Sequence, residues 1–426
     1  MKVLVSHPTG NANVRAIAKG FAEAGNLHRF YTTIASFPDS AMDKLARLPG
    51  LAELKRRNFD TALQGHTRTY PWFELGRMIS NKMGIKSLTA HESGVFCIDK
   101  VYHRLDKYVA SQLPGLQKHG LTVVYAYEDG ALETFRQAKK LGITCVYELP
   151  IAFWETSRKL LLEEAARLPE WSGTLAGGIT DSQRKLQRKS MELELADIIV
   201  TPGSFVADSL GSLAGDKKMI VSPFGSPENN FSTKKTARNN RPLRVLFAGS
   251  MGQRKGLSDL FEAIKILDSK EIELVVLGSL LRELPFYRQQ LPDFTYEPTR
   301  PHADVLSLMR SCDVFCLPSI VEGRALVIQE AMSQGLPVII TSNTGGKDLV
   351  IEGETGFEVP IRSPNAIAEK LRWFLENPGE LDQMSINAQR HAASYSWAGY
   401  TNKIILEIEK YQNKNCVAHD SNHYLG

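Results

Sequence analysis

Two glutamates eight positions apart, Glu322 and Glu330, are the residues of this chain whose types and spacing best suit the binding of a polar ligand. Glu322 lies in a turn after the apolar run Val314–Leu317, which predicts a buried strand. A helix is then expected to open near Arg324–Ala325 and to be stopped by Gly335. The sequence therefore predicts one glutamate at the carboxyl end of a strand and a second glutamate on the helix that follows.

The predicted start of that helix is suited to phosphate. In open α/β sheets, ligands bind outside the carboxyl ends of the strands, and a helix N-terminus there offers free N–H groups and a positive dipole end. The candidate phosphate ligands are Gly323 and the N–H groups of Arg324, Ala325 and Leu326. Glu330 is expected roughly 8 Å along the helix, at about 1.5 Å per residue. Since that is about the span from a diphosphate to a ribose, its carboxylate is a candidate ligand for a ribose diol.

A glycine loop with two cations precedes this region, in the segment Phe247–Gly256. An apolar strand pattern leads into the loop, and Gly249 permits a tight backbone turn. Ser250 follows, and Arg254 and Lys255 supply positive charge for a diphosphate. Taken alone, the segment fits a solvated turn with two basic residues as well.

The loop after the first predicted strand carries a third candidate pair, Gly10 and Asn11. This loop lacks the Gly-x-Gly-x-x-Gly pattern of a dinucleotide site, so a dehydrogenase is disfavoured. A plain strand-to-helix turn is the alternative. His7 and Glu148 lie at the ends of two strand patterns and are further polar candidates.

Residues 318–356 resemble the nucleotide-sugar site of retaining GT-B glycosyltransferases of family four (glycosyl transferases group 1), which include many bacterial polysaccharide and lipopolysaccharide enzymes. The matching residues are Glu322, Glu330, Ala331, Met332, Gly335, Pro337, Val338 and Ile339, followed by Gly345, Gly346 and Gly356. The family's phosphate loop usually reads Gly-Arg-x4-Lys-Gly, which Lys255 and Gly256 match, whereas Ser250 stands where the family has arginine. Arg254 is the candidate replacement for that arginine. An ordinary βαβ unit with solvated glutamates is the alternative.

The alternation of strand and helix patterns predicts an α/β protein with doubly wound parallel sheets. The expected strands are Val3–Ser6, Phe30–Ile34, Thr122–Tyr127, Thr144–Leu149, Ile198–Thr201, Leu243–Ala248, Ile272–Gly278 and Val314–Leu317. The expected helices include Asn13–Ala24, Ala131–Leu141, Gln183–Leu195, Leu257–Leu267, Asp304–Ser311 and Trp397–Tyr411.

The resemblance implies the GT-B arrangement, in which two Rossmann-like domains face a cleft and a C-terminal helix returns to the first domain. The corresponding boundaries are 1–225 for an acceptor-side domain with an insertion at 50–113, 226–395 for a nucleotide-sugar domain, and 396–413 for the returning helix. A polar, basic stretch around 223–241 is the expected linker.

The resemblance further implies a retaining glycosyltransferase that moves a sugar from a nucleoside-diphosphate sugar to a hydroxyl of a glycan or lipid-linked acceptor in cell-surface polysaccharide synthesis. Glu322 is then expected to position the transferred sugar, while Lys255 and Arg254 stabilise the departing diphosphate. No cofactor and no metal are expected, because no Asp-x-Asp loop is apparent and Cys312 and Cys316 have no partner ligands nearby in the sequence. The alternatives are a non-catalytic sugar-nucleotide-binding subunit of a glycan synthesis complex and a GT-B sugar-nucleotide epimerase.

The length of 426 residues predicts two domains, or three at most. The composition, 43% apolar and 23% charged, is ordinary for a globular protein. The net charge of +4 is mild, and no nucleic-acid motif is present. No apolar run reaches the roughly 18 residues of a membrane span, and the cysteines are few and scattered. A cytoplasmic location is therefore expected.

Segment 50–113 interrupts the alternation and carries ten Lys and Arg against six Asp and Glu, together with several aromatic residues. Such a surface is suited to an acceptor or to the anionic inner face of a membrane. The first interpretation places acceptor recognition here, and the second predicts peripheral contact with the inner membrane. A solvated insertion whose aromatic residues pack on the sheet is the alternative to both.

Overall fold

The computed structural model describes residues 1–46, 52–227 and 241–423 of the chain, which form two parallel β-sheets with helices on their faces. The first sheet contains β1 Val3–Ser6, β2 Leu27–Thr32, β3 Thr67–Thr69, β4 Val123–Tyr127, β5 Thr144–Glu148, β6 Ile198–Thr201 and β7 Lys218–Val221. The second contains β8 Leu243–Ala248, β9 Ile272–Leu277, β10 Thr295–Glu297, β11 Val314–Leu317, β12 Val338–Ile340 and β13 Gly356–Glu358. The first and second domains below are the parts of the chain built on these two sheets.

The α-helices of the described residues alternate with the strands. In the first half of the chain they are α1 Ala12–Glu23, α2 Ala41–Ala46, α3 Trp72–Lys82, α4 Ile98–Gln117, α5 Leu132–Lys140, α6 Trp154–Arg167, α7 Gln183–Leu195 and α8 Ser204–Asp208. In the second half they are α9 Leu257–Leu267, α10 Leu284–Gln290, α11 His302–Arg310, α12 Leu326–Ser333, α13 Pro364–Glu376, α14 Pro378–Ala393 and α15 Trp397–His423.

Both sheets are doubly wound. The strands lie in the order β3-β2-β1-β4-β5-β6-β7 in the first sheet and β10-β9-β8-β11-β12-β13 in the second. In each sheet the chain adds strands on one side of the first strand and then returns to add the rest on the other side. The order therefore reverses between β1 and β4 and between β8 and β11. Ligands of doubly wound sheets bind at such reversals, outside the carboxyl ends of the strands.

The central strands are continuous apolar runs because helices cover both of their faces. All residues of β4 and of β11 are buried. In the second domain, Gly335 has a φ of 79° directly after α12, a left-handed conformation that glycine adopts without a Cβ clash and that ends the helix as predicted. The chain then enters β12, so that α12 connects two neighbouring strands of the sheet.

One segment of the first half packs into the core of the second domain. After β5 the chain forms α6 and then a short 3-10 helix, Pro169–Thr174. From this 3-10 helix Trp171 inserts among the apolar side chains of the second domain, edge-on to Phe261 and Tyr287. The two domains are therefore joined by a shared apolar contact as well as by the chain.

The last helix, α15, packs against α1 of the first domain. Ile404 and Ile408 are buried there in the core of the first sheet. The helix runs to His423, beyond the predicted end of the returning helix at residue 413. It thus carries the chain from the second domain back to the first.

The predicted fold class, an α/β protein with doubly wound parallel sheets, is confirmed by the strand order. The strands Leu243–Ala248 and Val314–Leu317 and the helices Gln183–Leu195 and Leu257–Leu267 agree with the sequence-based prediction residue for residue. The strand predicted at Phe30–Ile34 is wrong in position, because β2 begins at Leu27 and ends at Thr32. Leu27 pairs with Val3 of β1, so the polar residues His28 and Arg29 also belong to the strand.

The domain boundaries remain predictions. The linker expected around 223–241 lies mostly outside the described residues, as do residues 50 and 51 of the expected insertion. Within the described residues, no helix is both long enough and apolar enough to cross a membrane.

Candidate functional site

A cavity of about 480 Å³ opens where the strand order of the second sheet reverses, between β8 and β11. We call it the second-domain cavity. It is lined by Ala248, Gly249, Ser250, Lys255, Leu277, Gly278, Ser279, Thr299, Arg300, Val305, Glu322, Arg324, Ala325, Leu326 and Val327. The predicted candidates Gly249, Ser250, Lys255, Glu322, Arg324, Ala325 and Leu326 are therefore brought together.

Two cations converge on Glu322 beside this cavity. The Lys255 ammonium lies 2.5 Å from Glu322 Oε1, and Arg254 Nη1 lies 2.8 Å from the same oxygen. The Arg254 guanidinium also donates to the carbonyl oxygen of Val321 at 3.0 Å. The side chains of Lys255 and Glu322 are 12% and 11% exposed, so this pair is largely withdrawn from water.

Burial and charge act on the pKa values of this pair in opposite directions. Burial alone raises the pKa of Glu322, but the two neighbouring cations outweigh it, and the pKa is held below the ordinary value. The pKa of Lys255 is lowered, first by burial and secondarily by Arg254, while Glu322 opposes the shift. Glu322 is therefore ionised at neutral pH, and its charge keeps the two cations at the cavity.

The backbone turn into α12 supplies N–H donors at the cavity. The helix begins at Leu326, later than predicted, because Arg324 and Ala325 belong to the preceding turn. In the described residues, the N–H groups of Gly323, Arg324, Leu326 and Val327 have no backbone acceptor, as first-turn groups of helices generally do not. The N–H of Ala325, another predicted phosphate donor, donates to the carbonyl oxygen of Thr344 at 3.3 Å.

The Arg324 side chain is bound by Asp348 and Gln329, neither of which lines the cavity. Its guanidinium lies 2.7 Å from Asp348 Oδ1 and 3.1 Å from Oδ2, and its Nε donates to Gln329 at 2.8 Å. It lies 5.1 Å from the centre of the Tyr395 ring. A fork–fork pair of this kind fixes geometry as well as charge, so Arg324 contributes its backbone N–H to the site and holds the turn with its side chain.

Glu330 is not among the residues that line the cavity. It lies four residues after the observed helix start at Leu326 and therefore about 6 Å along α12, closer than predicted. It shares the helix face of Leu326, which does line the cavity. Its Oε1 lies 3.0 Å from Nε2 of the exposed His302 at the start of α11.

At the position where the family has an arginine, this chain has Ser250. A cation from another part of the chain, Arg300, lines the cavity. Ser250 lines the cavity, whereas Arg254 is turned toward Glu322 and Val321. Arg300, after β10, lines the cavity and pairs with Glu297. The sequence analysis missed Arg300. Its position after the end of a strand was the one available signal, and β10, with three residues, is too short to give a recognisable strand pattern.

The candidates of the first domain lie elsewhere. Gly10 and Asn11 do not line the second-domain cavity. Gly10 has a φ of 69° and lies so close to Phe59 that an added Cβ would be 2.5 Å from that ring. His7 Nδ1 accepts the N–H groups of Thr9 and Gly10 at 3.1 and 3.0 Å. Asn11 and His7 instead line a separate cavity at the end of β1.

His7 and Glu148 are buried and have structural partners. Burial, helped by Arg57, lowers the pKa of His7 to about 3, so the ring is neutral and shapes the loop after β1. Glu148 accepts hydrogen bonds from Asn13 at 2.6 Å, Tyr125 at 2.6 Å and Tyr400 at 3.0 Å. Glu148 therefore ties α15 to the first sheet, and its pKa is raised by burial.

The two domains meet at the loop that carries Glu322. A Cβ on Gly323 would lie 1.7 Å from the carbonyl oxygen of Pro150, which follows β5 of the first domain. Only a glycine permits this approach of two backbones. The second-domain cavity thus lies directly beside the first domain.

In the described residues, one group of side chains has the spacing of a metal site, formed by His91, Glu92 and Asp181. It lies in the first half of the chain, away from the residues that line the second-domain cavity. Glu92 already accepts hydrogen bonds from the backbone and hydroxyl of Ser182. Cys312 and Cys316 are buried in the second-domain core, where burial raises the pKa of the Cys316 thiol.

Comparison with known proteins supports a glycosyltransferase. Residues 228–391 match the family model described as glycosyl transferases group 1. The D-inositol 3-phosphate glycosyltransferase of Corynebacterium glutamicum is 27% identical over 332 residues, covering 69% of this chain and 79% of that protein. The capsular polysaccharide biosynthesis glycosyltransferase CapM of Staphylococcus aureus is 29% identical over 197 residues, covering 42% of this chain and 52% of that protein. The chain therefore spans only about half the length of this second relative.

Solved structures share the whole fold. Sucrose-phosphate synthase from Thermosynechococcus elongatus superposes with a TM-score of 0.64 at 17% identity, covering 98% of this chain and 100% of that chain. HepE from Anabaena, solved in complex with UDP, superposes with a TM-score of 0.61 at 16% identity, covering 96% of this chain and 100% of that chain. At such identities the likeness shows the fold alone, which is the GT-B architecture of glycosyltransferases.

Proposed function

We propose that this protein is a retaining glycosyltransferase that moves a sugar from a nucleoside-diphosphate sugar to a hydroxyl of a glycan or lipid-linked acceptor in cell-surface polysaccharide synthesis. The observation that carries the proposal is the second-domain cavity, which is lined by Lys255 and by the residues at the start of α12 whose N–H groups have no backbone acceptor, at a strand-order reversal. The family match over residues 228–391 supports the class of reaction. HepE, which shares the fold, was solved with UDP and with UDP-glucose, which supports a nucleotide-sugar donor.

In this proposal the donor diphosphate lies between Lys255 and the start of α12. Lys255 offers a buried positive charge, and the N–H groups of Arg324, Leu326 and Val327 offer oriented dipoles. Arg300 and Ser250 line the same space and are further ligands for the phosphates or the base. Glu330 accepts hydrogen bonds from the ribose hydroxyl groups. Its carboxylate gives up the contact with His302 in order to do so.

The reaction needs stabilisation of the negative charge that develops on the leaving diphosphate. Preorganised cations and N–H groups supply it without reorganisation at the moment of bond cleavage. Glu322 holds Lys255 and Arg254 in place and contacts hydroxyls of the transferred sugar. The acceptor hydroxyl attacks the face from which the diphosphate leaves, and the departing phosphate takes its proton, so that configuration at the anomeric carbon is retained.

The test is release of nucleoside diphosphate from a panel of UDP-, GDP- and ADP-sugars. We expect one donor to be hydrolysed slowly without acceptor, and Glu322→Gln to lower the rate about 100-fold or more, as loss of a group that organises charge in the transition state does. Glu262→Gln, on the exposed face of α9, is the matched control. Release of a sugar whose anomeric configuration is inverted would contradict the retaining mechanism.

Metal independence is tested in the same assay. The cations of the cavity neutralise the diphosphate in this proposal, so chelation of divalent metals by EDTA is expected to leave the rate unchanged. Loss of activity with EDTA and recovery with Mg²⁺ or Mn²⁺ would contradict it.

The second candidate function is a non-catalytic sugar-nucleotide-binding subunit. It is favoured by Ser250, which stands where the family has an arginine. Nucleotide binding without any turnover would support this second candidate.

The segment 72–98 supports contact with an anionic membrane. Of the fourteen large apolar side chains exposed in the described residues, six lie between Trp72 and Ile98. Trp72, Ile79 and Met83 are 68%, 57% and 67% exposed and lie seven and four positions apart, on one face of α3 and its C-cap. Lys86 is exposed next to them. An apolar stripe flanked by basic residues is the pattern of a helix lying in a membrane interface.

Sedimentation with vesicles tests this contact. We expect binding to phosphatidylglycerol vesicles, weaker binding to phosphatidylcholine, and a loss of about tenfold or more in a Trp72→Ala, Ile79→Ala variant, because both apolar anchors are removed. Leu406→Ala, which removes an apolar side chain 55% exposed on α15, is the control. Equal binding by the double variant and the wild type would remove α3 as the membrane contact.

A further inference from the structure

One stretch of the chain between β5 and β6 spans the two domains. It consists of α6 and the 3-10 helix Pro169–Thr174, and we call residues 154–174 the bridging segment. Its beginning is bound to the first domain, since Thr156 Oγ1 donates to the carbonyl oxygen of Ser209 at 3.0 Å. Its end is buried in the second domain, where Trp171 is 1% exposed. The bridging segment is therefore held at both ends, by a different domain at each.

The end of the bridging segment bonds to the loop Gly249–Gly256. The N–H of Gln253 donates to Thr174 Oγ1 at 3.0 Å. Beside this bond, a Cβ added to Gly252 would lie 2.6 Å from the carbonyl oxygen of Thr174, so the two backbones are in close contact. Thr174 is 1% exposed, and its hydroxyl donates in turn to the carbonyl oxygen of Trp171 at 2.7 Å. The Thr174 hydroxyl therefore has one fixed donor and one fixed acceptor.

The backbone that Thr174 holds leads directly to Lys255. Gln253–Lys255 form a single 3-10 turn, in which the N–H of Lys255 donates to the carbonyl oxygen of Gly252 at 3.0 Å. A Cβ on Gly256, which ends the turn, would lie 2.0 Å from the carbonyl oxygen of Pro318. The turn is therefore confined by the bridging segment before Lys255 and by the end of β11 after it.

The Gln253 side chain is a second connection between the bridging segment and the loop. It is fully buried, and its amide N–H groups donate to Glu164 of α6 at 2.9 Å and to Asp259 of α9 at 2.8 Å. Its Oε1 accepts the N–H of Ser258 at 3.0 Å. A rotation of the turn would leave buried polar groups without partners, which is costly. The hydrogen bonds of Gln253 therefore allow the turn one orientation.

The bridging segment also supports the loop that carries Glu322. Leu161 of α6 lies in one apolar cluster with Ile320 and Val321, which directly precede Glu322. The two loops are bonded to each other as well, since the N–H of Ile320 donates to the carbonyl oxygen of Arg254 at 2.9 Å. Both loops whose side chains form the ion pairs beside the second-domain cavity therefore rest on one segment.

We propose that Thr174 is a positioning residue of the donor site, which holds the loop Gly249–Gly256 so that the Lys255 ammonium lies where the charge of the leaving diphosphate develops. This role rests on the proposed function. Thr174 does not line the second-domain cavity, so it acts through the backbone of the loop. A cation that stabilises a developing charge must be preorganised, and a misplacement of about 1 Å can cost about 100-fold in rate.

Three substitutions test this role by the release of nucleoside diphosphate from the donor. Thr174→Val keeps the shape of the side chain and removes the oxygen that accepts the Gln253 N–H, whereas Thr174→Ser keeps that oxygen. Thr156→Val removes a hydroxyl of the same segment that contacts the first domain and is the matched control. We expect Thr174→Val to lower the rate about tenfold or more, and the other two variants to remain within about twofold of the wild type.

The same substitution in Lys255→Met separates positioning from a general loss of stability. In that background the ammonium is absent, so we expect Thr174→Val to weaken calorimetric binding of the nucleotide less than about twofold, against about fivefold or more in the presence of Lys255. If urea unfolding shows that Thr174→Val does not fold, Thr174→Ala takes its place in both series.

Three results would overturn the role of Thr174. They are an unchanged rate in Thr174→Val, a defect in Thr174→Ser as large as that in Thr174→Val, and equal weakening of nucleotide binding with and without Lys255. Failure of the wild type to bind any nucleotide at millimolar concentration would instead overturn the proposed function. The two failures are therefore distinguishable in one series of measurements.

Discussion

At the scale of single residues, the partners of a side chain decide what it contributes to the site. Lys255 and Arg324 are both basic residues of the predicted phosphate site, yet Lys255 faces the cavity while Arg324 is bound to Asp348 and Gln329. The local sequence does not reveal this difference, because the partners of Arg324 come from α12 and from the loop after β12. The motif residues predicted the candidate site, whereas the orientation of each cation required the tertiary structure.

Single buried groups also decide how the protein responds to acid. The pKa of His7 is lowered to about 3 in the folded protein against an ordinary value of 6.5, so the unfolded chain binds a proton more readily. Protonation of His7 in the unfolded chain is therefore expected to lower the free energy of unfolding as the pH falls from about 6.5 toward 3. In His7→Asn, an amide oxygen replaces Nδ1 as acceptor for the loop N–H groups and does not titrate.

The measurement is the free energy of unfolding by urea at several pH values between 4 and 7. His7→Asn should lose less stability on acidification than the wild type, since a titrating group has been removed. Substitution of the exposed His119 by asparagine is the control and should leave the slope unchanged. A slope in His7→Asn equal to that of the wild type would show that His7 does not remain neutral by burial.

At the scale of elements, the proposed function places the donor phosphates at the strand–turn–helix unit from β11 to α12. The apolar run and the glycine stop predict the strand and the helix correctly, but the helix start falls at Leu326, since the turn at Arg324 and Ala325 is held by Thr344 and Asp348 from a later loop. Boundaries of this kind depend on contacts distant in sequence, which explains why local patterns place the element better than its ends.

The close contact of this unit with the first domain predicts a steric effect of Gly323→Ala. The added Cβ would lie 1.7 Å from the Pro150 carbonyl oxygen, so the two backbones must separate. We expect a loss of about 1–3 kcal/mol in the free energy of unfolding, as in other overpacked contacts, together with a lower transfer rate. Thermal unfolding measures the first effect and the donor assay the second.

Gly379→Ala is the matched control for that substitution. Gly379 lies in the first turn of α14, and no atom is within 4 Å of the position of its added Cβ. Alanine there is expected to be neutral or to stabilise by up to about 1 kcal/mol, because glycine is a poor helix former. If Gly323→Ala were as harmless as Gly379→Ala, the domains would not be in close contact at this loop.

At the scale of the whole molecule, buried charges join the domains beside the loop Gly249–Gly256, which carries Arg254 and Lys255. Arg167 of α6 forms two hydrogen bonds with Asp259 of α9, at 2.9 and 2.8 Å, and also contacts Glu164. Gln253, two residues before Lys255, donates to Glu164 at 2.9 Å and to Asp259 at 2.8 Å. The network therefore connects the relative placement of the domains to the loop that holds the cations.

Arg167→Met tests this connection. It leaves Asp259, which is 2% exposed, without the cation that pairs with it among the described residues, and leaves Glu164 with Arg362 alone, so we expect a loss of about 3 kcal/mol in the free energy of unfolding. Arg136→Met, which breaks an exposed pair with Glu133, should cost less than about 1 kcal/mol. Equal effects of the two substitutions, measured by urea unfolding, would show that the network does not join the domains.

The alternation of strands and helices predicted the two sheets, because parallel doubly wound sheets repeat that pattern. It did not predict that Trp171, on the first half of the chain, packs in the core of the second domain. Nor could it pair Arg167 with Asp259, which lie 92 residues apart. Such contacts depend on how the domains face one another, and no local pattern records that.

The most direct test of the central claim is calorimetric binding of UDP, GDP and ADP to the wild type, to Lys255→Met and to Lys265→Met. Lys265 of α9 is the control. Its side chain is 45% exposed and pairs with Glu262. We predict micromolar binding of one nucleotide by wild type and control, weakened about tenfold or more, or about 1.4 kcal/mol, in Lys255→Met. Absence of binding at millimolar nucleotide, or equal binding by Lys255→Met, would contradict the assignment of the second-domain cavity to the donor.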